Sequence, residues 1–189
     1  MQQNFYDLLE QNPVIAAIKN DEGLKKCCQL EDIKVVFILY GNICTIPAIV
    51  ERLKRAQKIA MVHLDLINGL GSKDIAVDFI KDNTKADRII STRPTIIRRA
   101  CELGFYTALR IFILDSLSYE NIEKQLNTIK PDIVEILPGT MPKIISKVCR
   151  KVRQPVIASG LISDKEDIML ALSAGAIAVS STNQAVWEM

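Results

Sequence analysis

The sequence predicts an α/β fold, a compact (β/α)8 barrel of the TIM type, and three observations predict it. Eight short apolar runs alternate with longer segments of helical periodicity, which is the order of a parallel sheet built from βα units. Glycine, serine and threonine residues collect directly after the last two runs. No linker or low-complexity segment interrupts the pattern, so residues 1–189 are predicted to form a single domain.

The eight runs have the length and the β-branched composition of buried parallel strands. They cover residues 14–18, 34–40, 59–66, 88–91, 107–114, 133–137, 155–159 and 176–180. The segments between them predict helices near residues 21–30, 45–57, 73–83, 94–103, 118–129, 141–152 and 164–173. Because the chain has 189 residues and a typical barrel has about 250, the helices and loops must be short.

Several helix boundaries have a local chemical basis. Pro94 and Pro142 suit first helical turns, where the missing N–H of proline costs no hydrogen bond. Gly104 suits a helix end, where the chain turns into the left-handed region. The pattern Ser163-x-x-Glu166 is that of a capping box, and it predicts a helix that begins with Ser163 as its N-cap.

An open, doubly wound sheet is the alternative that the same alternation admits. A dinucleotide-binding sheet would carry Gly-x-Gly-x-x-Gly after its first strand, whereas the first run here ends in a Lys-Asn pair. The small residues follow the seventh and eighth runs instead, and in a closed barrel those two turns form a recurrent phosphate site. We therefore predict the barrel, with a phosphate-binding site at Gly160, Ser180, Ser181 and Thr182.

Charged residues on several runs are predicted to face the barrel interior near the mouth. Asp65 and His63 share a face because side chains two positions apart do so. Lys19, Arg110 and Glu135 are the other charged candidates, and together with Asp65 they form a neutral set. We interpret the four as ligand-binding residues; a structural salt-bridge network, above all between Arg110 and Glu135, is the alternative. His63, the only histidine, is interpreted as a hydrogen-bonded core residue.

The cysteines and the apolar runs exclude several classes of protein. The five cysteines are odd in number and show no Cys-x-x-Cys spacing, so we expect neither a disulfide framework nor a metal site. No apolar stretch approaches the roughly 20 residues of a membrane span, and the N-terminus lacks the pattern of a signal peptide. We expect a cytoplasmic protein that has no membrane partner.

One predicted helix, over residues 141–152, carries a stripe of positive charge. Lys143, Lys147, Arg150 and Lys151 recur at spacings of mainly three and four, while apolar residues take the other face. Such a stripe attracts a polyanion, although a solvated helix face often looks the same. The net charge of +2 and the aromatic content of 5% indicate no strong overall field and no stacking platform. From the residues alone, the stripe is a candidate surface for an anionic partner, with an ordinary solvated helix face as the alternative; RNA becomes the favoured partner through the resemblance described below.

The end of the chain suggests self-association. After the eighth run only residues 183–189 remain, which are too few to cover both the eighth and the first strand. We expect an apolar flank near Trp187 to contact another subunit, which predicts a homo-oligomer, most simply a dimer.

Six segments that are spread over nearly the whole chain form a recognisable set. They are residues 63–70, 89–93, 110–116, 130–139, 155–162 and 174–187, and the Glu135-Ile-Leu-Pro-Gly139 run and the two late turns are the most specific. Together they resemble the glycerol uptake operon antiterminator family. The sequence departs from the family pattern at Ser159, where the first glycine of a pair is usual, and at Arg88, where a glycine is common.

The resemblance implies a barrel-fold regulator that senses glycerol 3-phosphate and acts on leader mRNA to prevent transcription termination. The effector would be glycerol 3-phosphate, with no cofactor and no catalytic residue. The two late turns would hold its phosphate, while Asp65 and Glu135 accept its hydroxyl groups and Lys19 or Arg110 balances the charge. The alternative is a phosphate-binding barrel enzyme, an isomerase or lyase of a small phosphorylated substrate, with Lys19, Asp65 and Glu135 as acid-base groups. A third reading is a structural barrel whose ligand stabilises an oligomer.

Overall fold

The computed structural model describes residues 5–189, and these residues contain a closed barrel of eight parallel strands. The strands are β1 (Val14–Ile18), β2 (Val35–Ile38), β3 (Ile59–His63), β4 (Arg88–Ser91), β5 (Tyr106–Phe112), β6 (Ile133–Leu137), β7 (Val156–Ser159) and β8 (Ala178–Ser181). Each strand pairs with the next, and β8 pairs with β1. The predicted (β/α)8 barrel is confirmed.

Helices follow the strands in alternation, except at the two ends of the chain. They are α1 (Phe5–Gln11), α2 (Asp21–Gln29), α3 (Ile46–Arg55), α4 (Ile75–Asn83), α5 (Pro94–Glu102), α6 (Ser116–Thr128), α7 (Pro142–Lys151) and α8 (Lys165–Ser173). Single 3-10 turns lie at Leu64–Leu66 and Val186–Glu188. The sequence did not predict α1, which precedes the barrel. Phe5 and Leu9 of α1 pack into the barrel interior and cover its N-terminal end.

Strand alternation divides the core into two layers. One set of side chains fills the barrel interior, among them Ile15, Phe37 and Met61. The residues between them, such as Val36 and Val62, point outward and pack under the helices. Because apolar side chains fill the middle of the barrel interior, polar groups have room only near its two ends.

The helix boundaries predicted from single proline and glycine residues are confirmed. Pro94 and Pro142 begin α5 and α7 as predicted, and Gly104 follows α5 with a φ of +75°. The predicted capping box at Ser163 is wrong by one residue. Asp164 is the N-cap of α8, and its carboxylate accepts the N–H of Asp167 at 2.9 Å. A carboxylate is the stronger acceptor at a helix N-terminus, which explains the preference.

The C-terminal turn covers strands β8 and β1 from within the same chain. Trp187 is 3% exposed, and its indole N–H donates to the carbonyl of Ser181 at 2.8 Å. Its ring lies against α2, where a Cβ added to Gly23 would be 3.4 Å from the ring. The expectation that residues 183–189 are too few to cover both strands is therefore wrong, because a single folded-back turn is enough to bury the indole, while Met169 and Met189 beside it remain exposed. The homo-oligomer through an apolar flank near Trp187 stays a prediction.

We predict that Trp187→Ala lowers the free energy of unfolding by about 3 kcal/mol, because it removes a buried aromatic ring and leaves a cavity over β1 and β8. Urea unfolding followed by circular dichroism measures the change. Met189→Ala is the matched control, since Met189 is 54% exposed and should change stability far less. Equal stability of the wild type and the Trp187 variant would contradict the assignment.

Candidate ligand site at the barrel mouth

The turns after β7 and β8 lie side by side at the C-terminal end of the barrel. Ser159 and Ser180 are direct partners in the β7–β8 register, and their hydroxyl oxygens are 2.7 Å apart. Both side chains face the interior and are almost fully buried. The two turns that the sequence predicted to form one site are thus neighbours in space.

Glycines allow close approach of the loops after β6 and β7. Gly160 follows β7 with a φ of +79°, a conformation that side-chain-bearing residues rarely adopt. Its carbonyl accepts the N–H of Gly139 at 3.0 Å. A Cβ on Gly139 would lie 2.9 Å from the backbone nitrogen of Ser159, so no larger residue fits there without a shift. The loop that leads into α7 is therefore in direct contact with the Gly160 turn.

The side chain of Ser181 stabilises the turn after β8. Its hydroxyl donates to the carbonyl of Ile162 at 2.7 Å and accepts the N–H of Asn183 at 3.1 Å. These bonds connect the two turns and direct the hydroxyl away from the barrel interior. Thr182 and Gly160, by contrast, are accessible to solvent, and so is Lys19 at the end of β1. Lys19 forms no ion pair within residues 5–189.

Arg110 and Glu135 form a buried, bidentate ion pair inside the barrel. They are register partners on β5 and β6, and Nε and Nη2 of Arg110 donate to the two carboxylate oxygens at 2.7 and 3.0 Å. Arg110 is 8% exposed and Glu135 is fully buried. The pairing offsets the cost of burying each charge, and removal of either partner would leave the other uncompensated. The salt-bridge alternative from the sequence is therefore realised, and a ligand role for the two residues remains a prediction.

His63 is buried as predicted, but the predicted hydrogen bond is absent among the described residues. It ends β3, faces the same interior and is 2% exposed, but neither of its ring nitrogens has a hydrogen-bond partner among the described residues. Burial, together with the positive charge of Arg110, lowers the pKa of His63 to about 4. The imidazole is therefore neutral near pH 7 and carries one donor and one acceptor that protein groups do not satisfy.

Asp65 holds the loop after β4 in place. It lies in the 3-10 turn after β3, not on the strand as predicted, and its carboxylate accepts three hydrogen bonds. The donors are the hydroxyl of Ser91 at 2.9 Å, and the N–H and hydroxyl of Thr92 at 2.7 and 2.9 Å. Arg93 lies 4.0 Å away. Since a carboxylate offers about four acceptor positions, Asp65 has little capacity left for a ligand.

The cationic stripe on α7 is exposed over most of its length. Lys143, Lys147 and Arg150 face solvent, and Arg150 donates to the carbonyl and the hydroxyl of Ser146 on its own helix. Lys151 differs from them, because its ammonium group donates to the carbonyl of Tyr119 at 3.3 Å. Three of the four predicted RNA-binding residues therefore present their charge to solvent.

Residues 5–189 form neither a metal-binding cluster nor a disulfide. No group of three or more His, Cys, Asp or Glu side chains is arranged to hold a metal ion in this part of the chain. All five cysteines, which lie within it, are free thiols. Burial raises the pKa of the Cys27 thiol to about 12, so this thiol is not a nucleophile near neutral pH. None of the helices in the same residues is long and apolar enough to cross a membrane.

The fold is a closed (β/α)8 barrel in which the turn after β7, with Gly160, lies beside the turn after β8, with Ser181 and Thr182. Over residues 14–187 the chain matches the family model described as glycerol-3-phosphate responsive antiterminator, and it belongs to that family. The Escherichia coli K12 protein YgcP, described as uncharacterized, is 46% identical over 182 residues, which cover 96% of this chain and 95% of that protein.

Two solved structures are also similar. The glycerol uptake operon antiterminator regulatory protein from Listeria monocytogenes has a TM-score of 0.90 at 33% identity, covering 94% of this chain and 95% of that one. An antiterminator-related protein from Thermotoga maritima has a TM-score of 0.80 at 31% identity, with 93% and 98% covered. Barrel enzymes, including aldolases, superpose as well, but at 16% identity or less this likeness shows the fold alone.

We predict that His63 makes folding less favourable in mild acid. Its folded-state pKa of about 4 lies below the ordinary value of 6.5. As the pH falls, the unfolded chain therefore takes up the proton before the folded protein does, and the free energy of unfolding decreases between pH 6.5 and pH 4. Between pH 7 and pH 5 the loss is roughly 2 kcal/mol. Urea unfolding at both pH values measures it, with His63→Gln as the reference that does not titrate. Parallel behaviour of the two proteins would contradict the prediction.

Proposed function

We propose that this protein senses glycerol 3-phosphate at the barrel mouth and acts on leader mRNA to prevent premature transcription termination of glycerol-utilisation genes. The observation that carries the proposal is the contact between the turns after β7 and β8, in a chain of the antiterminator family. Two facing turns with small residues supply backbone N–H groups and hydroxyls to one anion, which a single strand end does not.

The phosphate group of the ligand would bind at the two turns. Gly160 has no side chain to block its N–H, and Thr182 is an exposed residue whose N–H and hydroxyl would add donors. The Ser159–Ser180 pair adds a donor, because two hydroxyls that share one hydrogen bond keep one proton free. Lys19 at the neighbouring strand end supplies positive charge. Ser181 contributes by holding the turn, since its hydroxyl already donates to Ile162.

The glycerol portion would bind toward His63. A hydroxyl group both donates and accepts a hydrogen bond, which matches a neutral imidazole with both nitrogens unsatisfied. Arg110 and Glu135 lie on the same interior face and would orient the imidazole and the ligand through their fixed charges. In this arrangement Asp65 positions the loop after β4 and does not contact the ligand.

The RNA would bind along α7. Lys143, Lys147 and Arg150 supply positive charge for phosphates of the transcript, and Lys151 supports the helix through its contact with α6. The path from ligand to RNA is short. Gly139 donates to Gly160 in the ligand site, and α7 begins three residues after Gly139. An ordered Gly160 turn would thereby fix the start of α7, with a coupling free energy of typically 1 to 3 kcal/mol.

We assign no catalytic role to the polar residues of the mouth. The enzyme alternative requires Lys19, Asp65 and Glu135 as acid-base groups. Lys19 has no ion-pair partner among the described residues, but Asp65 accepts three hydrogen bonds and Glu135 pairs with Arg110. Groups that are fixed in this way suit binding better than proton transfer. A homo-oligomer, most simply a dimer, is part of the proposal, because paired subunits would present two α7 helices to one transcript.

We predict that Gly160→Ala weakens binding of both glycerol 3-phosphate and inorganic phosphate at least tenfold, because the Cβ strains the turn and lies 3.2 Å from Leu137. His63→Leu should weaken glycerol 3-phosphate to a similar degree and leave inorganic phosphate unchanged. Isothermal calorimetry measures the affinities.

Gly104→Ala is the matched control for the glycine variant. Gly104 also has a positive φ but lies at the end of α5, where no atom is within 4 Å of a Cβ. This variant should therefore bind both ligands like the wild type. No heat and no thermal stabilisation of the wild type at millimolar glycerol 3-phosphate would contradict the ligand proposal.

We also predict that Lys147→Glu with Arg150→Glu lowers affinity for leader RNA at least tenfold and leaves ligand affinity unchanged, since only the phosphate contacts on α7 are lost. Gel shifts with and without glycerol 3-phosphate measure both the affinity and its dependence on ligand. Lys25→Glu with Lys165→Glu, on α2 and α8, makes the same change in net charge on other exposed surfaces. Equal loss in both double variants would remove α7 as the RNA surface.

A further inference from the structure

The N-terminal end of the barrel, opposite the mouth, contains a cleft of about 1030 Å³. Phe5 and Leu8 of α1 form part of its wall, and Tyr106 at the start of β5 lines it as well. Its lining contains five cationic side chains and two carboxylates. These are Lys34, Lys54, Arg55, Lys58 and Arg88, and Glu31 and Asp87. The cleft therefore has an excess of positive charge that the proposed sensing function does not use.

Three of the five cations have partners within the described chain. Lys54 donates to both oxygens of Asp87 at 2.7 and 2.6 Å. Lys58 donates to two backbone carbonyls, and Arg55 pairs with Glu51 on α3. Arg88 and Lys34 are the remaining two.

Neither Arg88 nor Lys34 forms an ion pair with any of residues 5–189. Glu31 lies at an exposed position of the lining. Arg88 and Lys34 are therefore the two cations of the cleft without a direct hydrogen-bonded or ion-pair partner among the described residues, and Asp87 and Asp132 act on Arg88 only through longer-range attraction.

The guanidinium group of Arg88 packs against two aromatic rings. Its guanidinium carbon lies 3.7 Å from the centre of the Phe5 ring and 4.2 Å from that of the Tyr106 ring. Arg88 is only 6% exposed, and its Nε has no hydrogen-bond partner among the described residues. Two rings stabilise the charge and fix the plane of the group, but they do not satisfy the buried Nε–H donor.

The geometry points to a second anion site in this cleft, in which the edge of the Arg88 guanidinium and the Lys34 ammonium bind a phosphate group. A fork of coplanar N–H donors matches two phosphate oxygens, and the aromatic stack fixes this fork before the anion arrives. The phosphate belongs either to a small free anion or to the backbone of an RNA strand. This site lies at the other end of the barrel from the mouth and does not depend on the proposed ligand binding there.

Nuclear magnetic resonance of the 15N-labelled protein tests the proposal in two titrations at constant ionic strength. One uses inorganic phosphate, and the other uses a single-stranded oligouridylate without terminal phosphates. We expect saturable shifts of the Arg88 Nε–H and of the Tyr106 amide in at least one titration. A response to inorganic phosphate alone identifies a small-anion site, and tighter binding of the oligonucleotide identifies an RNA contact.

Substitutions in the cleft show whether Arg88 binds the anion or only supports the fold. Arg88→Met should weaken the anion at least tenfold, and Lys34→Met, which keeps the aromatic stack, should weaken it several-fold. Arg98→Met on the exposed face of α5 is the control and should bind like the wild type. If Arg88→Met does not fold, Lys34→Met with the wild-type titration decides the question.

Two results would overturn the inference: no saturable shift in either titration, or unchanged anion affinity in both cleft variants. The amides of Gly160 and Thr182 report the mouth in the same spectra. Shifts there without shifts at Arg88 would reject the second site only. If the Arg88 signals shift while the amides of Gly160 and Thr182 do not, even after glycerol 3-phosphate is added, only the sensing proposal is rejected.

Discussion

Closure of the eight-stranded sheet is the constraint on which both ends of this molecule depend. Since β8 pairs with β1, every strand has two neighbours, and alternate side chains must share a narrow interior. Apolar residues such as Phe37 and Met61 fill its middle. Polar side chains are therefore displaced toward the two ends, where the interior meets solvent. The polar side chains at the mouth and the buried Arg88 at the opposite end both follow from this arrangement.

At the mouth, mutual pairing decides which polar groups are available. Arg110 and Glu135 satisfy each other across β5 and β6, and Asp65 is occupied by the loop after β4. The groups left over are the imidazole of His63 and the Ser159–Ser180 hydroxyl pair, which are uncharged, and the exposed ammonium group of Lys19. A site of this kind selects a ligand by hydrogen bonds and shape within a fixed electrostatic field. Such a site is suited to sensing.

Some local features could be predicted because a single residue type imposes them. The proline at the first turn of α7 and the glycine after α5 are examples, since their backbone preferences act without tertiary contacts. Asp65, Trp187 and His63 could not be predicted in the same way. Whether Asp65 lies on a strand, whether the Trp187 indole is covered and whether His63 finds a partner each depend on residues far away in the sequence.

The sequence by itself determined the alternation of eight strands with helices, because periodicity and composition act locally, and the placement of small residues after the last two strands favoured the barrel over an open sheet. Only the tertiary structure decided which side chains meet. It paired Arg110 with Glu135, left His63 without a partner and stacked Arg88 between two aromatic rings from distant segments. The physical reason is that burial and hydrogen bonding are properties of neighbours in space, and closure of the sheet brings those neighbours together.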